Sequence, residues 1–171
     1  TKAITIYQIG YLKIDQFKLD LIANLFNPDM MVKEVAAWSI YQIDPATYEE
    51  NVERLPEGVQ RHLNRVIVRD RTGKLLKFNK VRFLRSMDLF KGVPGITLSE
   101  IVDNSSITLL SEGENFAIKS GELESFYIVY RGTADLYING QKTSSLQEGF
   151  FTGEIVGGSE YMTSFHLIAT D

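Results

Sequence analysis

The sequence contains no cysteine, only two histidines and no long apolar run. The absence of cysteine excludes disulfide bonds, thiolate metal sites and cysteine nucleophiles, and it agrees with a reducing compartment. No apolar run approaches the roughly 18 residues that a membrane-spanning helix needs, and no signal peptide opens the chain. We therefore expect a cytoplasmic location, either for a separate protein or for the cytoplasmic part of a membrane protein.

The composition is that of a folded protein, with 44% apolar and 23% charged residues. A chain of 171 residues can form one ordinary domain or two small ones. Because it begins with Thr1, we expect it to be a piece of a longer protein. No Ser-His-Asp arrangement, P-loop or metal-ligand cluster can be assembled from it, so the sequence predicts neither an enzyme nor a metal site.

Basic residues are concentrated near the middle of the chain, although the net charge is −4. A single acid, Asp70, accompanies nine basic residues: Arg61, Arg65, Arg69, Arg71, Lys74, Lys77, Lys80, Arg82 and Arg85. We favour a solvated connector. The alternative is a surface that faces an acidic partner or acidic lipids through a subset of these side chains. That subset is Arg61, Arg65, Arg69 and Lys74. Nucleic acid is disfavoured, because interleaved aromatic residues are lacking.

The first half of the chain has helical spacing. Leu19, Ile22, Ala23 and Phe26 recur at i, i+3, i+4 and i+7, which predicts a buried helical face. The pair Asp44-Pro45 predicts an N-cap and the first position of another helix, over 46–55.

A Pro-Asp turn at 27–29 between two such helices resembles a HEAT-type repeat, with helices predicted at 16–26 and 31–43. A generic helical bundle explains the pattern nearly as well. Solenoids need about three repeats for stability, so one repeat implies others upstream or a second domain that caps it. We assign residues 1–76 to this helical region.

From Ser106 the pattern changes to short alternating segments separated by glycines. Ile107 and Leu109 predict one strand, 126–130 another, and 134–138 a third. Asn139-Gly140 is a strong signal for a two-residue β-hairpin. The pattern indicates an antiparallel barrel or jelly-roll, so the fold class is α+β, helical first and then β.

Several segments match the cyclic-nucleotide-binding domain family in order. They are Phe83–Gly92 for the entry helix and turn, Leu98–Val102 for a short helix, Gly121 and Phe126–Gly132 for a hairpin, and Gly149–Glu154 for the start of the phosphate-binding segment. The second half therefore resembles this family over 77–171. The resemblance implies a β-roll whose final strand and C-terminal helices are missing. Cupins are also β-rolls, but they use a metal cluster that His62 and His166 cannot supply.

The resemblance also implies a ligand site, at Gly153, Glu154, Thr163, Ser164 and His166. Gly153 would allow close backbone approach, and Glu154 occupies the place of the ribose-binding carboxylate. The phosphate-binding arginine of the family is replaced by Thr163. The lost charge-assisted bonds are worth about 1.5–3 kcal/mol.

Phe165 adds bulk where the family leaves room for the ligand. His166 stands at the base-contacting position, and we favour an ordinary, partly buried strand residue there. Cyclic AMP and cyclic GMP are therefore disfavoured, and we expect no other cofactor.

The sequence thus predicts a regulatory or ligand-sensing module with weak or lost cyclic nucleotide binding. The alternative is a structural protein-interaction domain, including the soluble tail of a bacterial membrane transporter of the nucleotide-translocase type. Its partner would be another protein domain or the attached membrane protein.

Overall fold

A computed structural model shows helices followed by antiparallel strands, which confirms the α+β class. The chain divides into two compact units, Thr1–Ser105 and Ser106–Asp171. The structure describes residues 2–69, 71–118, 126–153 and 165–170. Within these residues no helix is long and apolar enough to cross a membrane.

The first unit is helical throughout. Its helices are α1 (Lys2–Tyr11), α2 (Lys18–Leu25), α3 (Met30–Ile43), α4 (Pro45–Val52), α5 (Glu57–Arg69), α6 (Lys77–Ser86) and α7 (Gly95–Asp103). Two short 3₁₀ turns, Asp15–Phe17 and Asp88–Phe90, precede α2 and follow α6.

Helix α3 is the centre of this unit. It packs against α1, α2, α4, α5 and α6, and it is buried on every side from Glu34 to Ile40. A helix that is apolar all round is stable only when neighbours surround it. Trp38 is 3% exposed and stacks on Tyr7, with the ring centroids 4.8 Å apart.

Helices α3 and α4 each begin after an aspartate that acts as the N-cap. Asp29 accepts a hydrogen bond from the Met31 N–H at 2.8 Å. Asp44 accepts the Thr47 N–H at 3.3 Å, with Pro45 in the first turn of α4, which confirms the predicted pair. A side-chain acceptor at this position replaces one of the missing intrahelical partners.

The Asp44 cap predicts a specific loss of stability in acid. Hydrogen bonds from the Thr47 side chain, Lys18 and the Thr47 backbone hold the pKa of Asp44 at about 2, below its ordinary 3.8. A lowered folded-state pKa stabilises the fold above about pH 4, and this contribution is lost as the pH falls towards 2. Relative to Asp44→Asn, which keeps a capping oxygen, the wild type should lose stability across that window. Urea denaturation from pH 5 to 2 measures this, and a constant difference would contradict it.

The apolar face predicted for α2 is wrong. Leu19 is 82% exposed and Phe26 41% exposed, whereas Leu21 and Leu25 are buried. The reason is that α2 packs on α3 along the side that carries Leu21 and Leu25. The hydrophobic period was present, but it did not identify which side meets a neighbour.

The helical unit extends past the boundary that the sequence suggested after residue 76. Leu76 and Phe78 belong to the same buried cluster as α1 and α3, and the Lys77 N–H donates to Glu34 on α3. Helix α7 packs on α6. The segment matched to the entry helix of the β-roll family therefore packs within the helical unit.

The second unit contains six described strands. They are β1 (Asn115–Ile118), β2 (Phe126–Ile128), β3 (Thr133–Ile138), β4 (Gln141–Gln147), β5 (Phe151–Gly153) and β6 (Phe165–Ala169). Four form an antiparallel sheet in the order β1-β6-β3-β4, and β2 pairs with β5 in a second sheet. The strand predicted at Ile107 and Leu109 does not form, and 105–111 has no regular structure.

The hairpin between β3 and β4 confirms the Asn-Gly signal. Asn139 and Gly140 have φ of 51° and 79°, as a tight turn that follows the twist of the strands requires. The small core of this unit contains Leu136, Leu146 and Leu167. Tyr127 of the second sheet packs edge-on against Phe116 of the first, with centroids 5.5 Å apart.

Candidate functional site

The ligand site suggested by the resemblance lies only partly within the described residues. Gly153 ends β5, with Phe126 as its partner across the strand pair. Glu154, Thr163 and Ser164 fall outside the described residues. The proposed roles of these three residues remain predictions.

His166 is a partly buried residue of β6. Its strand neighbours Leu167 and Ala169 are buried, so the alternation of the strand places His166 on the opposite face of the sheet. There its Nδ1 lies 3.2 Å from the Asn115 Oδ1 on β1. Asp135 of β3 lies on the same face, because it is opposite Ile168, which is two residues after His166 on β6. His166 therefore belongs to the outer surface of the four-stranded sheet.

Asp135 organises the polar part of that surface. Its carboxylate accepts hydrogen bonds from Lys142 and Ser145 on β4, each at 2.6 Å. The Lys142 and Ser145 hydrogen bonds lower the pKa of Asp135. These bonds stay within one hairpin, so they align β3 with β4.

A second polar centre lies in the helical unit, where the sequence did not predict one. Glu34 is 3% exposed on α3. Its Oε1 lies 2.5 Å from the His62 Nε2 on α5, and its Oε2 accepts the Lys77 N–H of α6 at 2.8 Å. A buried carboxylate is tolerated only when its oxygens are hydrogen-bonded. Glu34 thereby ties three helices together.

Two lysines of α6, Lys77 and Lys80, lie near this carboxylate. The Lys77 ammonium pairs with Asp103 of α7 at 2.7 Å. Lys80, one turn further along α6, is half-buried. Burial is the largest cause that lowers the pKa of Lys80, and the charges of Lys77 and Arg65 lower it further. The charges of Glu34 and Asp103 oppose this effect.

The sequence did contain a signal for this centre. Glu34 is the one acid in the stretch 30–43, which is apolar on two sides. A carboxylate inside a helix that is expected to be surrounded should find a partner from another element. His62 was the available histidine in the helical half, but nothing local places it opposite Glu34.

Of the four basic residues suggested to face an acidic partner, the side chains of three are described. Arg61 lies 3.4 Å from Glu57, and both side chains are largely exposed. Arg65 and Lys74 are exposed, and the Arg69 side chain is not described. Surface ion pairs of this kind contribute little to stability. The Arg61 side chain remains accessible to solvent, because it is largely exposed. Among the described residues, no group of three or more His, Cys, Asp or Glu side chains could hold a metal ion.

Comparison with known proteins finds two viral relatives. The chain is 30% identical over 127 residues to the early transcription factor 70 kDa subunit of Rabbit fibroma virus, which is 67% of this chain and 19% of that protein. It is 29% identical over 123 residues to the same subunit of Myxoma virus, or 65% of this chain and 18% of that protein. The chain thus matches about a fifth of each relative. No family model and no solved structure matches it.

Proposed function

We propose that the chain is a non-catalytic regulatory module in which a helical scaffold carries a β-roll of the cyclic-nucleotide-binding type that does not hold an ordinary cyclic nucleotide. It would act through contacts with another protein domain. The viral relatives are named as subunits, which suits a module that works inside a larger assembly.

The strand order supports the β-roll most directly. Among the described strands, β1, the hairpin of β3 and β4, and β6 lie in the first sheet, whereas β2 and β5 lie in the second, so the chain moves repeatedly from one sheet to the other. Such alternation is typical of jelly-rolls, in which the chain crosses between packed sheets. The contact of Tyr127 with Phe116 fits two sheets packed face to face.

The proposal that binding is lost rests on the residues of the phosphate-binding segment. A cyclic phosphate needs backbone N–H donors and a guanidinium, and the sequence has Thr163 where the family has arginine. The half-buried His166, at the base-contacting position, is bonded to Asn115 on the outer face of its sheet. These features favour contact with a protein over nucleotide sensing.

Calorimetric titration with cyclic AMP and cyclic GMP tests this proposal. We expect no saturable heat up to about millimolar nucleotide, because the lost charge-assisted bonds alone weaken binding by roughly ten- to a hundredfold. Circular dichroism should show that the same sample is folded. Thr163→Arg should strengthen any residual binding more than Thr163→Lys, because only arginine offers a bidentate fork. A low-micromolar dissociation constant for the wild type would overturn the proposal.

A further inference from the structure

Residues 106–110 of the second unit have the sequence of a strand but no strand partner. Ile107 and Leu109 alternate with Ser106 and Thr108, which is the pattern of a half-buried strand. Leu109 is 80% exposed and Ile107 37% exposed. No backbone N–H or C=O of the 106–110 segment forms a hydrogen bond with any described residue. The segment therefore leaves both its backbone groups and its apolar side chains unpaired.

The same unit has a sheet edge that could accept a strand. Strand β4 ends the order β1-β6-β3-β4, so among the described strands it pairs only with β3. Every residue of β4 except Leu146 is exposed, and the strand contains no proline. Its one charge, on Lys142, is paired with Asp135 at 2.6 Å. An exposed edge of this kind presents a row of unpaired N–H and C=O groups to an incoming strand.

The 106–110 segment cannot reach the β4 edge of its own chain. The Gly113 N–H donates to the Ala169 carbonyl at 2.8 Å, and the Ala169 N–H donates to the Glu114 carbonyl at 3.2 Å. These bonds continue the pairing of β1 with β6 and fix the end of the segment beside β1. A strand added outside β4 would lie four strand spacings, about 19 Å, from β1. Leu110 is three residues before Gly113 and can extend only about 11 Å from it.

We propose that two copies of the chain exchange these segments, so that the 106–110 segment of each copy adds a strand to β4 of the other. The exchange is reciprocal and forms a closed pair with two-fold symmetry. It supplies backbone partners to both copies and covers Ile107 and Leu109. It buries no unpaired charge, because the segment is uncharged and Lys142 already has Asp135. It does not depend on the loss of nucleotide binding, because neither element includes a residue of the suggested ligand site.

Light scattering on a dilution series of the full chain tests the exchange. We expect a dimer that dissociates to a monomer on dilution. Leu109→Ser should raise the dissociation constant by about tenfold or more, because it removes an apolar side chain from both halves of the pair. Leu109 is already exposed in the single chain, so folding is not at risk. A wild-type chain that stays monomeric at every concentration, or forms larger species than a dimer, would overturn the proposal.

Leu19→Ser is the matched control for Leu109→Ser. Leu19 is 82% exposed, almost the same as Leu109, but it lies on α2 in the helical unit. The same chemical change there should alter the dissociation constant by less than about twofold, because Leu19 takes no part in the exchange. Equal effects of the two variants would contradict the proposal.

Introduced cysteines test which segments meet, because the chain has none of its own. One copy carries Leu109→Cys, and a second, tagged copy carries a cysteine on β4 in place of Thr143, Ser144 or Ser145 in turn. Residues opposite each other on paired strands have Cβ atoms close enough for a disulfide bond. After mixing and mild oxidation, at least one β4 position should form a cross-link between the two copies. Leu19→Cys, mixed with the same β4 variants, should not. No cross-link from Leu109→Cys, or equal yields from Leu19→Cys, would refute the site.

Amide hydrogen exchange distinguishes this pairing from one within a single chain. In the exchanged pair, protection of the Ile107, Thr108 and Leu109 amides should rise with protein concentration, since only the dimer supplies their partners. Protection that is already complete in the monomer would mean that the segment pairs within its own chain, and it would overturn the proposal.

Discussion

Trp38→Ala should destabilise the helical unit by about 3–5 kcal/mol, the cost of removing a large buried aromatic side chain. The indole is 3% exposed and stacks on Tyr7. Its Nε1 donates to the Arg71 carbonyl at 3.2 Å, which fastens the segment after α5. The variant would leave a cavity, and the Arg71 carbonyl would keep only its hydrogen bond from the Gln42 side chain, at 2.9 Å. Urea denaturation followed by circular dichroism measures the change in the free energy of unfolding.

Trp38→Phe is the matched control for that variant. It keeps an aromatic ring against Tyr7 but lacks the N–H donor to the Arg71 carbonyl. We expect a smaller loss, about 1–3 kcal/mol, from the missing hydrogen bond and the reduced volume. A loss below about 1 kcal/mol for Trp38→Ala would show that α3 is not the packing centre of the unit.

Gly10→Ala should cost about 2–3 kcal/mol through overpacking. A Cβ at Gly10 would lie 2.5 Å from the Ser39 Cβ and 2.6 Å from its Cα. Backbone atoms cannot rotate away, so α1 would have to move off α3. That movement would also strain the hydrogen bond from the Ser39 hydroxyl to the Ile6 carbonyl, which is 2.9 Å long. The measurement is again urea denaturation.

Gly58→Ala makes the same chemical change where space is available. Nothing lies within 4 Å of the position that its Cβ would occupy, in the first turn of α5. It should stabilise the fold by about 0.4–1 kcal/mol, because alanine restricts the unfolded chain more than glycine does. If Gly10→Ala were as stable as the wild type or more stable, close packing against Ser39 would not be the reason for glycine at this position.

Features encoded in a few adjacent residues could be predicted from the sequence. Asp44-Pro45 identified the start of α4, and Asn139-Gly140 identified the β3–β4 hairpin. In both cases the side chain or the backbone conformation acts on its own neighbours, so no tertiary information is needed. The helix predicted at 31–43 is also present, as α3.

Features that depend on distant contacts were not predictable in the same way. Leu19 and Leu21 are the same type of residue on one helix, and only the position of α3 decides that Leu21 is buried and Leu19 exposed. The extension of the helical unit past residue 76 involves a hydrogen bond from the Lys77 N–H to Glu34, 43 positions earlier. The roles of Glu154, Thr163 and Ser164 remain predictions.

The chain has a single tryptophan, and its position gives the protein a built-in optical probe. Trp38 lies in the core of the helical unit, so its fluorescence emission reports on the unfolding of that unit alone. Circular dichroism in the far ultraviolet reports on helices and strands together. Melting curves that coincide by both methods would mean that the two units unfold as one cooperative system. Curves that separate would assign a stability to each unit without cutting the chain.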